Sequence, residues 1–395
     1  MTPPAFLTDA ALCRIWDALP EARVVGGAVR DALAERPVAD VDLATPRTPA
    51  QVMAALREVA IKVVPTGLAH GTVTAVADGR GFEITTLRRD VETDGRHAVV
   101  AFTADWQLDA SRRDFTINAM SMARDGSVFD YFDGITDLQA GRIRFVGDAA
   151  TRIAEDYLRI LRFFRFYARY ARLPPDPATL DALCAGVAGL PRLSVERVWI
   201  ELRRILGTPD PAEAVGLMER LGVWAAVLPE ATAVGRLAGL PADPVLRLAA
   251  MLTGDPLSVA TRLKLSNEDR DRLVRLLVTP SPMGSDADLR RLLAEYRRED
   301  LIDRAWLDGA WLDGLGLDAS GLADVRSRLV SMERPVFPLE GRDVVATGAP
   351  AGPLVGARLR EVRRWWVDGG CIADRAACLA ELARTADLPN MVEKR

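Results

Sequence analysis

The chain has 395 residues, 49% of them hydrophobic and 27% charged, with a formal net charge of −4. That is the composition of a globular protein with two or more domains and a substantial core, and its slightly acidic balance leaves nucleic-acid binding to local basic stripes. Cys13, Cys184, Cys371 and Cys378 are scattered, which excludes a CxxC zinc site and a disulfide framework. With only His70 and His97, His-cluster metal sites are excluded too, including a His–Asp phosphohydrolase domain in the C-terminal half.

Leu7 to Leu19 reads as an opening helix. The stretch Val24 to Thr45, VVGGAVRDALAERPVADVDLAT, then reads as strand, Gly-Gly turn, short helix, loop and second strand. Gly26 and Gly27 let the backbone approach a ligand closely. In a strand over Asp40–Leu43, Asp40 and Asp42 share one face while Val41 and Leu43 point to the core. Paired carboxylates repel unless a cation sits between them, and Mg²⁺ accepts one or two carboxylates with phosphates and water completing its shell. With Arg30 nearby, the stretch reads as a nucleoside triphosphate site; a solvated acidic strand end is the bland alternative.

Thr48 and Pro49 start a helix running to about Ala60, and Ile61–Val64 is a short strand. Thr72–Ala77 and Phe82–Leu87 form a hairpin around Asp78-Gly79-Arg80-Gly81. Glu83 is a third carboxylate if its strand neighbours the Asp pair, and a buried structural Glu otherwise. Asp90 to Val99 is too polar for a core element and reads as a mobile loop. In SRRDFTINAM, at 111–120, the apolar positions fit a helix start or a strand equally well. There Arg112 and Arg113 can bind phosphate while Asp114 holds one of them. Val128–Asp133 and Arg142–Val146 read as further short strands.

From Thr151 the pattern is helical. Arg152 to Arg172 reads as one helix, with Tyr157, Ile160, Leu161, Phe164, Tyr167 and Ala168 on one arc. Arg159, Arg162, Arg165, Arg169 and Arg172 fall on another. A ridge of one sign, opposed only by Glu155 and Asp156, reads as facing phosphates or bases rather than water. Helices over Ala178–Ala188 and Ser194–Leu206 follow, with Ser194 as a cap and Arg197 one turn before Glu201. Amphipathic helices fill the rest. The Gly-Pro turn near 348–356 opens a basic helix that offers either a backbone-phosphate site or a plain inter-helix turn.

Together GGAVRD at 26–31, DVD at 40–42, GTV at 71–73, FEITTLR at 82–88, RRDFTINAM at 112–120, EDYLRILR at 155–162 and LSVERVWIEL at 193–202 resemble the class II tRNA nucleotidyltransferases. These are the CCA-adding enzymes, close relatives of bacterial poly(A) polymerases. The resemblance spans roughly the first half of the chain. It implies an α+β architecture: a small mixed-sheet nucleotidyltransferase head over 1–138, then an all-α neck over 139–206 and a body and tail over 207–395. It implies addition of CCA to tRNA from CTP and ATP. Asp40 and Asp42 then bind two Mg²⁺, with Glu83 as a further catalytic carboxylate. Gly26, Gly27, Arg30, Arg113, Asp114 and Asn118 bind the nucleotide. Asp156 and Arg159 read its base edge, with Arg162 and Arg165 in support. Asp94, Gly95, Arg96 and His97 belong to the family's flexible loop. Arg169, Arg172, Gly352 and Arg358 are candidate contacts to the tRNA acceptor end.

Within that family, VVPTGLAHGTVT stands where poly(A) polymerases carry a basic Gly-Arg-Arg-Phe-like string. The loop argues against a CC-only enzyme, while A-only addition stays open. The intact carboxylates argue against a non-catalytic RNA-binding relative. No apolar run is long enough for a membrane span, no obligate protein partner is evident, and the cysteines read as reduced thiols of a cytoplasmic protein.

Overall fold

The computed structural model describes residues 3–94, 97–314 and 318–386, with only the backbone of 90–94 and 97–100. The chain divides into two compact units, Met1–Pro229 and Glu230–Arg395. In the first, seven strands form a mixed sheet in the order β3-β4-β5-β2-β1-β8-β9. They are β1 (Arg23–Val25), β2 (Leu43–Thr45), β3 (Lys62–Gly67), β4 (Thr72–Ala77), β5 (Arg80–Thr86), β8 (Ser121–Met122) and β9 (Val128–Phe129). Only β2 and β5 run parallel, with Leu43 opposite Ile84; the other neighbours are antiparallel.

Burial alternates along the sheet with period two, as one covered face requires. Val73, Ala75 and Ala77 of β4 and Phe82, Ile84 and Thr86 of β5 are buried. Helices α1 (Ala10–Ala18) and α3 (Pro49–Glu58) pack against β4. The start of α3 follows from its sequence: Thr48 and Gln51 form a capping box, with Pro49 at the first turn. Asp9 caps α1, which a short 3-10 turn over Ala5–Thr8 precedes.

Several expectations are corrected. The second strand starts at Leu43, so Asp40 and Asp42 lie on the irregular segment leading into it, both exposed, and Val41 is only half-buried. The polar stretch after Arg89 is a two-stranded hairpin, β6 (Arg88–Asp94) with β7 (His97–Phe102), rather than a loop. Of the loop residues, Asp94 and His97 close that hairpin, while Gly95 and Arg96 lie outside the described residues. Arg142–Val146 makes only the isolated bridge Phe115–Phe145. Ser111–Met120 is neither helix nor strand throughout: α4 (Trp106–Ser111) ends there and a 3-10 turn covers Thr116–Asn118.

The largest correction concerns the Arg-rich helix. It is two helices, α6 (Ala149–Glu155) and α7 (Leu158–Tyr170), with α2 (Gly27–Leu33) and α5 (Gly134–Ala140) preceding them. Asp156 is extended at the break, with φ −156° and ψ 107°. Its Oδ1 accepts from the Leu158 N–H at 3.1 Å, a bond that an Asp makes at the start of a helix and not inside one. Periodicity alone cannot see that break, because the apolar spacing runs through it. Helix α7 is buried on more than one arc, since Phe163, Phe166 and Tyr170 join the predicted core positions. Phe115, Phe145, Phe163 and Phe166 make a continuous aromatic cluster; the Phe115–Phe145 centroids are 4.7 Å apart and Phe115–Phe166 5.2 Å. That cluster welds the sheet's C-terminal extension to α7. Helices α8 (Pro177–Gly186) and α9 (Val195–Leu206) follow; Ser194 precedes α9, but its side chain makes no capping bond.

The second unit is helical from Pro244–Met251 to Arg375–Ala386. Leu289, Leu293, Leu301 and Leu329 centre one of its cores. Val362, Trp366, Cys378 and Leu382 centre another. No helix among the described residues is long and apolar enough to cross a membrane.

Candidate functional site

The first unit contains a cleft of about 1040 Å³ lined by nine arginines and five aspartates. Its floor is built where β1 ends. Val25 donates its N–H to the Asp42 carbonyl at 2.9 Å, so the Gly26–Gly27 turn and the Asp pair emerge side by side. Gly26 has φ +67°, a left-handed conformation that favours glycine, and a Cβ there would stand 3.0 Å from Arg113 Nη1. Asp40 and Asp42 both line the cleft. Glu83 is exposed on β5, one residue before the Ile84 that faces Leu43, which places it beside Asp42 and rules out a buried structural Glu. Partial desolvation, then the charges of Glu83 and Asp40, push the Asp42 carboxyl up from 3.8, with Arg113 opposing.

That excess of negative charge fits a divalent cation. Among the described residues no group of three His, Cys, Asp or Glu side chains closes to ligand geometry. Two carboxylates are a donor set that fits Mg²⁺, whose other ligands can be phosphate and water.

Arg30 is buried and heavily engaged. Its Nη1 donates to Asn118 Oδ1 at 2.6 Å, and its Nε and Nη2 donate to Asp31 Oδ1 at 3.1 and 3.0 Å. Its guanidinium also lies 4.6 Å from the Tyr170 ring centroid, and the Tyr170 hydroxyl donates to the same Asp31 oxygen. Asn118 donates in turn to Asp114 Oδ1 at 3.0 Å, and Arg162 Nε donates to Asp114 Oδ2 at 2.6 Å. An unbroken chain, Arg30–Asn118–Asp114–Arg162, thus runs from the sheet domain to α7. Burial alone raises the Asp114 carboxyl, but Arg162 and the bonds from Asn118 and Phe115 hold it below 3.8. Asp114, expected to hold Arg112 or Arg113, pairs with neither. The buried Asp109 holds them instead, at 2.8 Å from Arg112 Nη2 and 3.3 Å from Arg113 Nη2. The i,i+4 spacing of Asp109 and Arg113 was the available signal.

The far wall is the helix break. Asp156 Oδ2 accepts from Arg197 Nη2 of α9 at 2.6 Å, a pairing not read from the sequence. Glu155 is the ion-pair partner of Arg159, whose Nη1 also donates to the Arg152 carbonyl at 2.7 Å. Arg159 Nε and Nη2 carry no hydrogen bond among the described residues. Arg165 reaches the buried Glu201 at 3.3 Å. Burial pulls its guanidinium down to about 10, Glu201 opposing while Arg162 and Arg204 add to the pull. The ridge is therefore not a solvated face; most of its arginines carry carboxylates from other elements. Arg169 is exposed on the rim. Arg172 is committed elsewhere, its Nη2 donating to the Gln139 carbonyl at 2.9 Å. Arg36 and Arg204 also line the cleft and were not read from the sequence.

In the second unit Gly352 (φ +142°) precedes the helix Pro353–Asp368, which carries Arg358. A hollow of about 220 Å³ there is lined by Arg360, Arg363, Arg364, Glu295 and Val367, without Arg358.

A mixed-sheet head with an aspartate pair beside a Gly-Gly turn, facing an Arg-rich helical wall, defines a nucleotidyltransferase. The family model "Poly A polymerase head domain" matches residues 22–144, and "Probable RNA and SrmB- binding site of polymerase A" matches 173–234. The mouse mitochondrial CCA tRNA nucleotidyltransferase 1 is 36% identical over 92% of this chain and 87% of its own. A CCA-adding enzyme of Lacticaseibacillus paracasei is 32% identical over 88% of each. The crystal structure of the Bacillus stearothermophilus CCA-adding enzyme in complex with CTP superposes with a TM-score of 0.75 at 28% identity, covering 95% of this chain and 97% of that one. The chain belongs to the family of CCA-adding tRNA nucleotidyltransferases.

Proposed function

We propose that this protein adds C, C and A to the 3′ end of tRNA from CTP and ATP, releasing pyrophosphate without a nucleic-acid template. The observation that carries this reading is one cleft holding both the Asp40–Asp42 pair and the Asp156–Arg159 break. Cytosine and adenine share an exocyclic amine beside a ring-nitrogen acceptor. A carboxylate accepts from the amine, and a guanidinium donates to the ring nitrogen. Uracil and guanine present a carbonyl where the amine would be, and two acceptors then face each other.

Asp156 suits the first role, because a carboxylate has acceptor capacity beyond its bonds to Arg197 and Leu158. Arg159 suits the second, with Nε and Nη2 left to donate. Asp40 and Asp42 would hold Mg²⁺, with Glu83 raising the negative potential beside them. Bound there, Mg²⁺ would supply activation of the attacking hydroxyl and neutralisation of charge on the triphosphate. Arg113, backed by Asp109 and seated against Gly26, is placed for the triphosphate. Arg30 positions more than it contacts, since three of its nitrogens already donate within the protein. Four free cysteines fit a reducing compartment, and we assign the cytoplasm.

The test offers the protein tRNA ending at the discriminator base, with Mg²⁺ and labelled CTP and ATP. Stepwise extension by C, C and A supports the reading; a long A-tail reassigns the protein to the poly(A) branch.

A further inference from the structure

Residue 189 has no backbone reason to be glycine. It lies in a 3-10 segment, Val187–Arg192, and its φ is not positive. Its reason is a neighbour. A Cβ at Gly189 would stand 2.2 Å from Cδ1 and Cε1 of Tyr157 and 2.4 Å from Cγ, so the ring rests directly on the glycine backbone. The Arg192 guanidinium, 5.6 Å from the ring centroid, closes on the same ring. One turn earlier, a Cβ at Gly186 would meet Ile153 at 2.5 Å and Ile160 at 2.9 Å. Side chains from before and after the helix break are thus seated on one segment.

Tyr157 is the hinge of that break, between the extended Asp156 and the first residue of α7. Its ring is seated on Gly189, and the carboxylate of the neighbouring Asp156 is held by Arg197 and by the Leu158 N–H. We propose that Gly189 and Tyr157 are positioning residues for base selection: the glycine makes the seat in which the Tyr157 ring anchors the break that presents Asp156 to the base. This rests on the reading that Asp156 contacts the base edge. The chemistry of the bound ligand is therefore an aminopyrimidine or aminopurine edge, and the seat acts on it only through Asp156.

The test measures incorporation of each of the four nucleoside triphosphates into tRNA by the full chain and by Gly189→Ala, Tyr157→Leu, Tyr157→Phe, the Gly189→Ala/Tyr157→Leu double variant and Asp156→Asn. Gly189→Ala and Tyr157→Leu are each expected to lower the CTP-to-UTP ratio of kcat/KM by at least about tenfold. The double variant should lose no more than the worse single one, because both act through one contact. Tyr157→Phe keeps the ring and keeps the ratio. A general loss of fold lowers active enzyme for all nucleotides and leaves the ratio alone, so the ratio separates positioning from damage. If Gly189→Ala does not fold, Tyr157→Leu and Tyr157→Phe carry the comparison. Wild-type ratios in Gly189→Ala and Tyr157→Leu, with Asp156→Asn relaxed, overturn the seat alone. An unchanged ratio in Asp156→Asn overturns the base-edge reading and the seat with it.

Discussion

Arg197 donates from Nη2 to Asp156 Oδ2 at 2.6 Å, so a helix 41 residues downstream holds the carboxylate proposed to read the base. The Arg pairs not with its helical neighbour Glu201 but with the residue at the break between α6 and α7. Replacing it should free the carboxylate to swing. Arg197→Met is expected to lower discrimination between CTP and UTP by about five- to tenfold. Competition assays with paired nucleotides measure this; equal losses for all four nucleotides would assign Arg197 to stability alone.

The Asp pair makes a sharper prediction. Asp42→Asn should reduce turnover by about a thousandfold, the scale of several kcal/mol of lost charge stabilisation. The preference for CTP and ATP over UTP and GTP should survive in the residual activity, because Asp156 is untouched. Single-turnover extension of tRNA at saturating Mg²⁺ is the measurement. Near-normal turnover would remove Asp42 from the chemistry.

Tyr170 donates its hydroxyl to Asp31, the carboxylate that also orients Arg30. Tyr170→Phe keeps the ring under the Arg30 guanidinium and loses the bond. KM for CTP and ATP should rise together by about three- to tenfold, the net value of one ordinary hydrogen bond, because Tyr170 acts on the nucleotide only through Asp31 and Arg30. A rise for one nucleotide only would place Tyr170 at the base rather than at the triphosphate end.

Asp114 predicts a pH signature. Its carboxyl is held below 3.8 in the folded protein, so folding favours its ionised form. That stabilisation is complete above the unfolded value and is lost as pH falls through the lower folded one. Asp114→Asn breaks a largely buried pair but leaves Arg162 partly exposed, so it should cost about 2–3 kcal/mol at neutral pH. Denaturant unfolding should show the gap to wild type closing below pH 3.8. A gap that is constant with pH would mean that the loss is one of packing.

The sequence carried much of this arrangement because several of its signals are local. The Gly26–Gly27 turn and the Thr48–Pro49 helix start each depend on residues within a few positions, whereas the strand expected over Asp40–Leu43 begins only at Leu43. What stayed hidden was long-range or masked by periodicity. The apolar spacing through Tyr157 is continuous, while the break shows only in the Leu158 N–H bonded to Asp156 and in the Tyr157 ring resting on Gly189. Asp114 is adjacent to Arg113 in sequence, but Asn118 and Arg162, 48 residues away, claim its two oxygens. The polarity of the stretch after Arg89 hides its hairpin, because backbone pairing of β6 with β7 does not require an apolar strand.

The most direct test of the central claim offers tRNA lacking its terminal CCA each nucleoside triphosphate singly, and then CTP with ATP. The account predicts C addition from CTP, completion by one A when both are present, and negligible use of UTP and GTP. Failure to add either C or A, or equal use of all four nucleotides, would contradict it.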